Sequence, residues 1–425
     1  MELKLNSIII PTIFIEYETL HCKEEIHLEA VEWLTTEILN AIQSAAEETI
    51  PCPKAAESSY NKRAKITPGF NERVKHHKDT ALFWHSIWNS AGRPINTQLH
   101  NIMKKTRNTY HMEYTKCRKA EITIKKYKLL DACINGNGDI FKEIKAMRKT
   151  KPVCADTIDG VKDDIPNHFS NIYSELYNCV DDGDEVAKIS REVEQLIDNK
   201  CIYDVKKVTS DVVKKAASKL KPGKGDPTFK FSSDCIKVNS NIMAEYITIM
   251  IRSFLIHGHI PQFLLLSTLV PIIKDKLGPI NSSKNYRSVC ITALILKLLD
   301  WIIILLFGDV LGFHDLQFAY QPGISANICT WAVIETIDYF LRNDSEIFSC
   351  SMDKSKAFDL CRFSILFSKM LKKNLSLVFL RIIIFMYVHQ YSNVRWNSTI
   401  SSSFTISNGV GQGKILAGFA YCYYC

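Results

Sequence analysis

The chain has 425 residues, of which 46% are hydrophobic and 23% are charged, and its net charge is +8. This density of aliphatic and aromatic side chains excludes an intrinsically disordered chain and predicts a folded protein with more than one core. The 14 cysteines are scattered singly, which excludes a small disulfide scaffold and favours a reducing compartment. An acidic second residue, where a secretory signal carries bases, agrees with a nuclear or cytoplasmic location.

Two apolar stretches, residues 291–307 and 375–388, are the strongest candidates for membrane segments. Lys297 and Asp300 interrupt the first, and Arg381 interrupts the second. The second is also shorter than the roughly 20 residues that a helix needs to span a bilayer. Both stretches therefore predict buried helices, and we expect no membrane partner.

Positive charge is concentrated in one part of the sequence. Residues 61–151 contain 21 lysines and arginines against 7 aspartates and glutamates, a local net charge of +14, which leaves −6 for the rest of the chain. Such asymmetry indicates an acidic partner, of which nucleic acid is the commonest. A solvated helical surface is the alternative interpretation.

An apolar stripe runs through this basic region. Met103, Tyr110, Cys117 and Ile124 recur every seven residues, which predicts a long helix that packs by one face. Cations occupy the other faces, where they are candidates for phosphate contacts. They are Lys104, Lys105, Arg107, Arg118, Lys119, Lys125 and Lys126.

The remaining organisation is less distinctive. Residues 1–60 carry no chemical motif, although residues 28–46 have the pattern of a helix. Glycine- and aspartate-rich segments between 131 and 200 predict a linker at 152–204. A helix beginning near Ser210 should end at the glycines and proline of 221–225.

The informative third of the chain begins near residue 269. Residues 269–273 form a short apolar strand pattern that leads into Lys274, and Arg287 follows after a turn. A lysine acts on a phosphate as a point charge, whereas an arginine offers a planar fork of donors. Two cations on either side of one turn are therefore candidates to hold a phosphate chain.

A second candidate segment lies at residues 347–360. Phe348, Cys350 and Met352 alternate with polar residues, a period of two that predicts a strand ending at Asp353. A carboxylate at the end of a strand is a suitable Mg²⁺ ligand. The alternative for Asp353 is an acid that caps a turn or helix.

The third candidate is the sequence Asn-Gly-Val-Gly-Gln-Gly at 408–413. Residues 394–396 and 404–406 before it predict a hairpin. Three glycines let the backbone approach a ligand closely. Gln412 should then face that ligand at the start of a helix from Ile415.

In combination and order, these segments resemble the reverse transcriptases of non-LTR (LINE-type) retrotransposons. The resemblance depends on the motifs at 271–274, 285–287, 317–321, 353–359 and 408–413, and it covers about residues 205–425. Residues 68–121 also resemble the basic linker of these elements. The resemblance implies an α/β (α+β) fold: the fingers and a partial palm of a right-hand polymerase, preceded by a mainly helical basic linker.

The resemblance also implies a role for each matching residue. Lys274 and Arg287 would hold the triphosphate of an incoming dNTP, and Phe358 would exclude the 2′-hydroxyl of a ribonucleotide. Gln412 and Gly413 would line the nucleotide pocket and the template. Asp353 would be catalytic, as a ligand of two Mg²⁺ ions. The implied partners are an RNA template and a DNA primer; the oligomeric state stays open.

One part of the family's machinery has no counterpart in the sequence. The family carries an Asp-Asp motif after the glycine motif, but no Asp-Asp pair follows Asp359. Two divalent cations about 4 Å apart repel by roughly 16 kcal/mol at an effective dielectric constant of ~20, so one aspartate cannot hold both. We therefore expect a domain truncated within the palm and catalytically inactive. The alternatives are a non-enzymatic RNA- or DNA-binding module and a degenerate retroelement product without function.

Overall fold

The structure is a computed structural model of the whole chain. It describes residues 2–8, 10, 20, 24–49, 73–135, 155–229, 231–237, 240–275, 277–308, 316–321, 323–373 and 375–424. The chain divides into two compact units. One comprises Met1–Pro51 with Ala155–Cys425, and the other comprises Cys52–Cys154.

Helices account for most of the described residues. They are α1 (Glu2–Asn6), α2 (Glu25–Thr49), α3 (Lys75–Ser90), α4 (Gln98–Lys119), α5 (Glu121–Asn135), α6 (Ile165–Tyr177), α7 (Gly183–Leu196), α8 (Ile202–Lys206), α9 (Ser210–Lys219), α10 (Ser233–Lys237), α11 (Asn241–His257), α12 (Gln262–Leu265), α13 (Leu294–Phe307), α14 (Ala326–Arg342), α15 (Phe363–Lys372), α16 (Leu377–Val388) and α17 (Ile415–Tyr424). Short 3₁₀ turns occur at Asn199–Cys201 and Ser283–Asn285.

One small mixed sheet lies in the first unit. Its strands are β1 (Leu266–Ile273), β2 (Tyr286–Ile291), β3 (Tyr391–Trp396), β4 (Thr399–Ile400) and β5 (Phe404–Thr405). The order is β2-β1-β3-β4, and β5 also pairs with β3. β1 is antiparallel to β2 and parallel to β3. The fold is therefore α+β, as expected, and the hairpin predicted between 394 and 406 is confirmed by the antiparallel pairing of β3 with β4 and β5.

The apolar stretches form the core of this unit. α13 and α16 bury most of their side chains, as do the apolar positions of α11. Ser240 caps α11 by accepting a hydrogen bond from the Met243 N–H, and Gly258 ends the helix in the left-handed conformation. The prediction of buried helices at both stretches is confirmed, and no described helix is both long and apolar enough to cross a bilayer.

Helix α6 covers one face of the sheet with aromatic side chains. Phe169 lies 5.4 Å from both Tyr286 of β2 and Trp396 of β3, measured between ring centroids. Phe169, Tyr173 and Tyr177 recur every four residues and are buried, so one helical face supplies all three rings. Helix α6 therefore packs across the sheet from β2 to β3.

In the described part of the unit at 52–154, residues 73–135, there are three helices. Thr97 caps α4 by accepting a hydrogen bond from the His100 N–H at 3.3 Å. The predicted apolar stripe is buried at Met103, Cys117 and Ile124. Tyr110, partly buried, packs against a cluster formed by Val74, Cys117 and Ile124. The single long helix of the prediction is interrupted at Ala120, where α4 ends and α5 begins.

Three further expectations differ from the structure or lie outside it. The linker predicted at 152–204 holds, in its described part, the helices α6 and α7, both with buried apolar faces. The helix predicted near Ser210 is capped one residue earlier, by Thr209. The motif at 68–71, which carried part of the resemblance to the basic linker, lies outside the described residues.

The predicted strand at 347–353 is wrong. Residues 345–354 are not part of any strand, and the side chains of Phe348 and Met352 are 91% and 92% exposed. An alternating sequence becomes a strand only when an adjacent edge supplies the ladder of hydrogen bonds. Among the described residues, no strand pairs with this segment.

Candidate functional site

The two cations predicted to bind phosphate lie on the hairpin of β1 and β2. Arg287 is opposite Ile272 in the register, and both are exposed. The Lys274 N–H donates to the Asn285 carbonyl at 2.7 Å, so the pairing continues one residue past β1. Because side chains alternate along a strand, Lys274 follows Ile272 on the face of Arg287. The hairpin therefore presents a lysine and an arginine on one exposed surface.

Asn285 fixes the turn between these two cations. Its side-chain oxygen accepts a hydrogen bond from the Asp275 N–H at 2.9 Å. Its side-chain nitrogen donates to the carbonyls of Asp275 and Pro279 at 2.8 and 3.0 Å. A single buried amide thus satisfies the turn from within, which holds the spacing between Lys274 and Arg287.

The glycine segment lies along the free edge of β2. The Cys290 N–H donates to the Gln412 carbonyl at 2.6 Å. A Cβ atom at Gly413, where φ is +110°, would lie 2.7 Å from the Cys290 carbonyl oxygen. Only glycine allows this approach and this φ together. The neighbour that the backbone approaches here is β2, and the predicted approach to a ligand stays a prediction.

The same segment contacts the motif around residue 359. The N–H groups of Gly409 and Val410 donate to the carbonyls of Cys361 and Phe358 at 2.8 and 2.9 Å. A Cβ atom at Gly409 would lie 2.7 Å from the Asp359 carbonyl oxygen. Three segments that are far apart in sequence (287–290, 358–361 and 408–413) therefore meet in one place.

A buried polar cluster joins these three segments to α6. The Tyr177 hydroxyl donates to the Asp359 carboxylate at 2.7 Å and lies 2.7 Å from the Ser288 hydroxyl. The Asn408 side chain donates to the Asp359 carbonyl at 2.8 Å. We did not identify Tyr177 from the sequence; its four-residue spacing from Phe169 and Tyr173 marks a helix face, but nothing local indicates the distant carboxylate.

Burial controls the protonation of this cluster. Loss of solvent raises the pKa of the Asp359 carboxyl, although the hydrogen bond from Tyr177 and the charge of Lys356 both act to lower it. Burial also raises the pKa of the Tyr177 phenol, so the hydroxyl keeps its proton and stays a donor at neutral pH.

Phe358 lies beside this cluster in an aromatic group. Its ring stacks on Tyr421 of α17 at 4.6 Å between centroids and 23° between planes. Tyr320 approaches it edge-on at 6.4 Å. One face of the Phe358 ring, which the resemblance predicts to exclude a 2′-hydroxyl, is thus in contact with Tyr421.

The donors around Asp353 do not fit a two-metal Mg²⁺ site. Asp353 is exposed on a segment without regular structure, and no hydrogen bond or ion pair joins it to another described residue. Across the described ranges, no three His, Cys, Asp or Glu side chains are grouped so that they could hold a metal ion. Mg²⁺ needs several converging oxygen ligands, so we derive no catalytic step through this residue.

The candidate nucleic-acid contacts surround the apolar stripe of α4 and α5. Of the seven lysines and arginines predicted to contact phosphates, six are exposed and Lys125 is half-buried. Because the stripe is buried on the opposite side, the cations form the outer surface of these helices. The six are Lys104, Lys105, Arg107, Arg118, Lys119 and Lys126.

No protein-family model matches the sequence, and no curated protein matches it. Its function is therefore inferred from the residues and their geometry.

Proposed function

We propose that the chain is a reverse-transcriptase domain of non-LTR retrotransposon origin that binds nucleotide and nucleic acid without polymerising DNA. The observation that carries this proposal is the meeting of segments 287–290, 358–361 and 408–413 through backbone hydrogen bonds. The first two segments overlap or adjoin the motifs at 285–287 and 353–359, and the third is the motif at 408–413; the resemblance to the family depends in part on these three motifs. Their convergence is what a shared nucleotide-binding site requires, and chance resemblance of separate motifs does not require it.

In this proposal, the hairpin of β1 and β2 belongs to the fingers of a right-hand polymerase, and β3 with the glycine segment belongs to a partial palm. Lys274 and Arg287 bind the triphosphate by charge-assisted hydrogen bonds. Gln412 is half-buried beside β2, and Gly413 is exposed. Both line the approach of a base to these phosphates.

The absence of polymerase activity is proposed from the surroundings of two acids. Asp353 is exposed and joined to no other described carboxylate. Asp359, the acid nearest the glycine segment, accepts the hydrogen bond of Tyr177 and has a raised pKa. A carboxyl that is held in this way is a structural acceptor and a poor ligand for a divalent cation.

Primer extension tests this proposal directly. With an oligo(dT) primer on a poly(A) template, we expect no templated product from the full chain in either Mg²⁺ or Mn²⁺, because no group of carboxylates from the described part of the chain converges at Asp353. Products resolved by gel electrophoresis that disappear in Asp353→Asn would show that the domain is an active polymerase.

A nucleotide-binding assay on the same preparation tests the binding that the proposal predicts. A fluorescent dNTP in metal-free buffer should bind, and Arg287→Gln should weaken binding by about tenfold, the value of a charge-assisted hydrogen bond. Arg395→Gln is the matched control, because Arg395 is an exposed arginine on β3. Equal affinities for the two variants would mean that Arg287 does not contact the triphosphate.

A non-enzymatic RNA-binding role for the basic helices is a second candidate, favoured by the exposed cations of α4 and α5. Each phosphate that a protein neutralises releases counterions, so affinity falls as salt rises. In the full chain, replacing Lys104, Lys105, Arg118 and Lys119 with glutamine should reduce the slope of log K against log salt by up to about 3. Fluorescence anisotropy with a labelled RNA measures that slope.

The control variant replaces the same number of cations elsewhere. Lys188, Lys200, Lys372 and Lys373 are exposed lysines of the other unit, and their replacement changes net charge equally. If both variants lose the same affinity and slope, binding follows net charge alone and α4 and α5 are merely solvated.

A further inference from the structure

Tyr320 has an unusual backbone and an unusual position. Its φ is +62°, in the left-handed region that non-glycine residues occupy only at a cost. Its side chain is nevertheless 51% exposed. A tyrosine that is strained for the sake of the core would be covered by the core, so the packing of the interior does not account for this conformation.

Contacts with α17 and with Phe358 fix the orientation of the Tyr320 ring. It lies directly against Gly418 of α17, where a Cβ atom would collide with the ring. Phe358 meets the ring edge-on at 6.4 Å, and Tyr421 stacks behind Phe358. Glycine at 418 thus creates the space for the ring, and two further aromatic rings support it.

Positive charge lies on the turn that carries Phe358. Lys354 and Lys356 are exposed there, four and two residues before that ring. Asp353 is the acid beside them, so the exposed part of the turn keeps a net positive charge. Aromatic rings with cations beside them are the recurring means of binding unpaired nucleic-acid strands, because every base has a face that can stack.

We propose that Tyr320, supported by Phe358 and Tyr421, is a stacking platform for an unpaired base of single-stranded nucleic acid. The base stacks on the exposed face of Tyr320 and the adjoining phosphates lie near Lys354 and Lys356. This inference deepens the proposed function, because it presumes that the chain binds nucleic acid, and it names the side chain that contacts the base.

The test compares strands with and without bases. The affinity of the full chain for a labelled oligo(A), its oligo(dA) equivalent and an abasic strand of the same length is measured by fluorescence anisotropy. The wild-type chain should prefer the strands with bases, and Tyr320→Leu should remove about tenfold of their affinity while leaving the abasic strand unchanged. Tyr320→Phe should restore the preference, because it keeps the ring.

Tyr339→Leu is the matched control, since Tyr339 is 65% exposed on α14. The salt slope should be the same in wild type and Tyr320→Leu, because stacking releases no counterions. Equal affinities of the wild-type chain for strands with bases and for the abasic strand would contradict the proposal that Tyr320 stacks on a base. They would still be consistent with binding driven by charge. No binding of any strand at low salt would overturn the nucleic-acid-binding function itself, and a loss on both strands in Tyr320→Leu would assign the residue a structural role.

Discussion

Replacing Arg381 with leucine should lower the free energy of unfolding of the larger unit by about 3–5 kcal/mol. Arg381 is 6% exposed. Its guanidinium donates to the carbonyls of Leu255 and Ile256 at 2.5 and 3.0 Å and to that of Leu20 at 2.8 Å. It also lies 3.5 Å from Glu194. Leucine fills much of the volume but leaves those buried carbonyls without a donor.

The geometry explains why one arginine matters so much at this position. Leu255 and Ile256 are in the last turn of α11, whose carbonyls have no partner within the helix. Gly258 ends that helix, and a Cβ atom there would lie 2.7 Å from Nε of Arg381. The end of α11 therefore needs a glycine at 258 to make room for the guanidinium of Arg381, which in turn donates to its last carbonyls.

Urea unfolding followed by circular dichroism measures this effect. The midpoint should fall while the m-value stays constant, because the surface exposed on unfolding is unchanged. Arg191→Leu is the control: Arg191 is exposed on α7, and its loss should change stability by less than about 0.5 kcal/mol. A loss below about 1 kcal/mol in Arg381→Leu would mean that water replaces the guanidinium at the three carbonyls.

What the sequence predicted correctly depends on local patterns. The apolar stretches gave the buried helices α13 and α16, and the strand pattern at 269–273 gave β1. The three glycines at 408–413 correctly indicated a segment that packs closely, because glycine alone tolerates a φ of +110° beside another backbone; the partner is β2, and the predicted approach to a ligand stays a prediction. In each case a few consecutive residues contain the whole signal.

What the sequence could not predict depends on distant partners. The alternation at 347–353 is a strand pattern without an adjacent edge among the described residues. The bond between Tyr177 and Asp359 spans 182 positions. In the sequence, Arg381 indicated only that the stretch 375–388 is not a membrane span. In the structure, its guanidinium donates to carbonyls more than 120 positions away. Tertiary hydrogen bonds of this kind have no periodicity that a sequence can display.

Stability should depend on pH through Asp300. This residue of α13 is 4% exposed, and its carboxylate accepts a hydrogen bond from the Leu416 N–H at 3.2 Å at the start of α17. Burial raises the pKa of Asp300 to about 6 from its ordinary value of 3.8, although that hydrogen bond and the charges of Lys414 and Lys297 act to lower it. The charged form is thus disfavoured in the folded chain.

The sign of the effect follows from proton binding. Between about pH 4 and 6 the folded state holds a proton on Asp300 that the unfolded state has lost, so the free energy of unfolding falls as pH rises through this window. A shift of about 2 pKa units corresponds to roughly 3 kcal/mol, which is lost completely above about pH 7. Asp300→Asn should therefore be more stable than wild type by up to about 3 kcal/mol at pH 8 and equally stable near pH 4.

Urea unfolding at a series of pH values gives the free energy of unfolding against pH for wild type and for Asp300→Asn. Subtracting one curve from the other removes the contribution of Asp359, another buried carboxyl with a raised pKa, because both proteins contain it. Asparagine keeps an oxygen that can accept the Leu416 N–H, so the start of α17 is preserved. Glu245→Gln is the control, because it removes one acidic charge from an exposed position on α11. A flat difference curve for Asp300→Asn would mean that Asp300 is ionised in the folded protein at pH 5, with Lys414 and the helix N-terminus outweighing its burial.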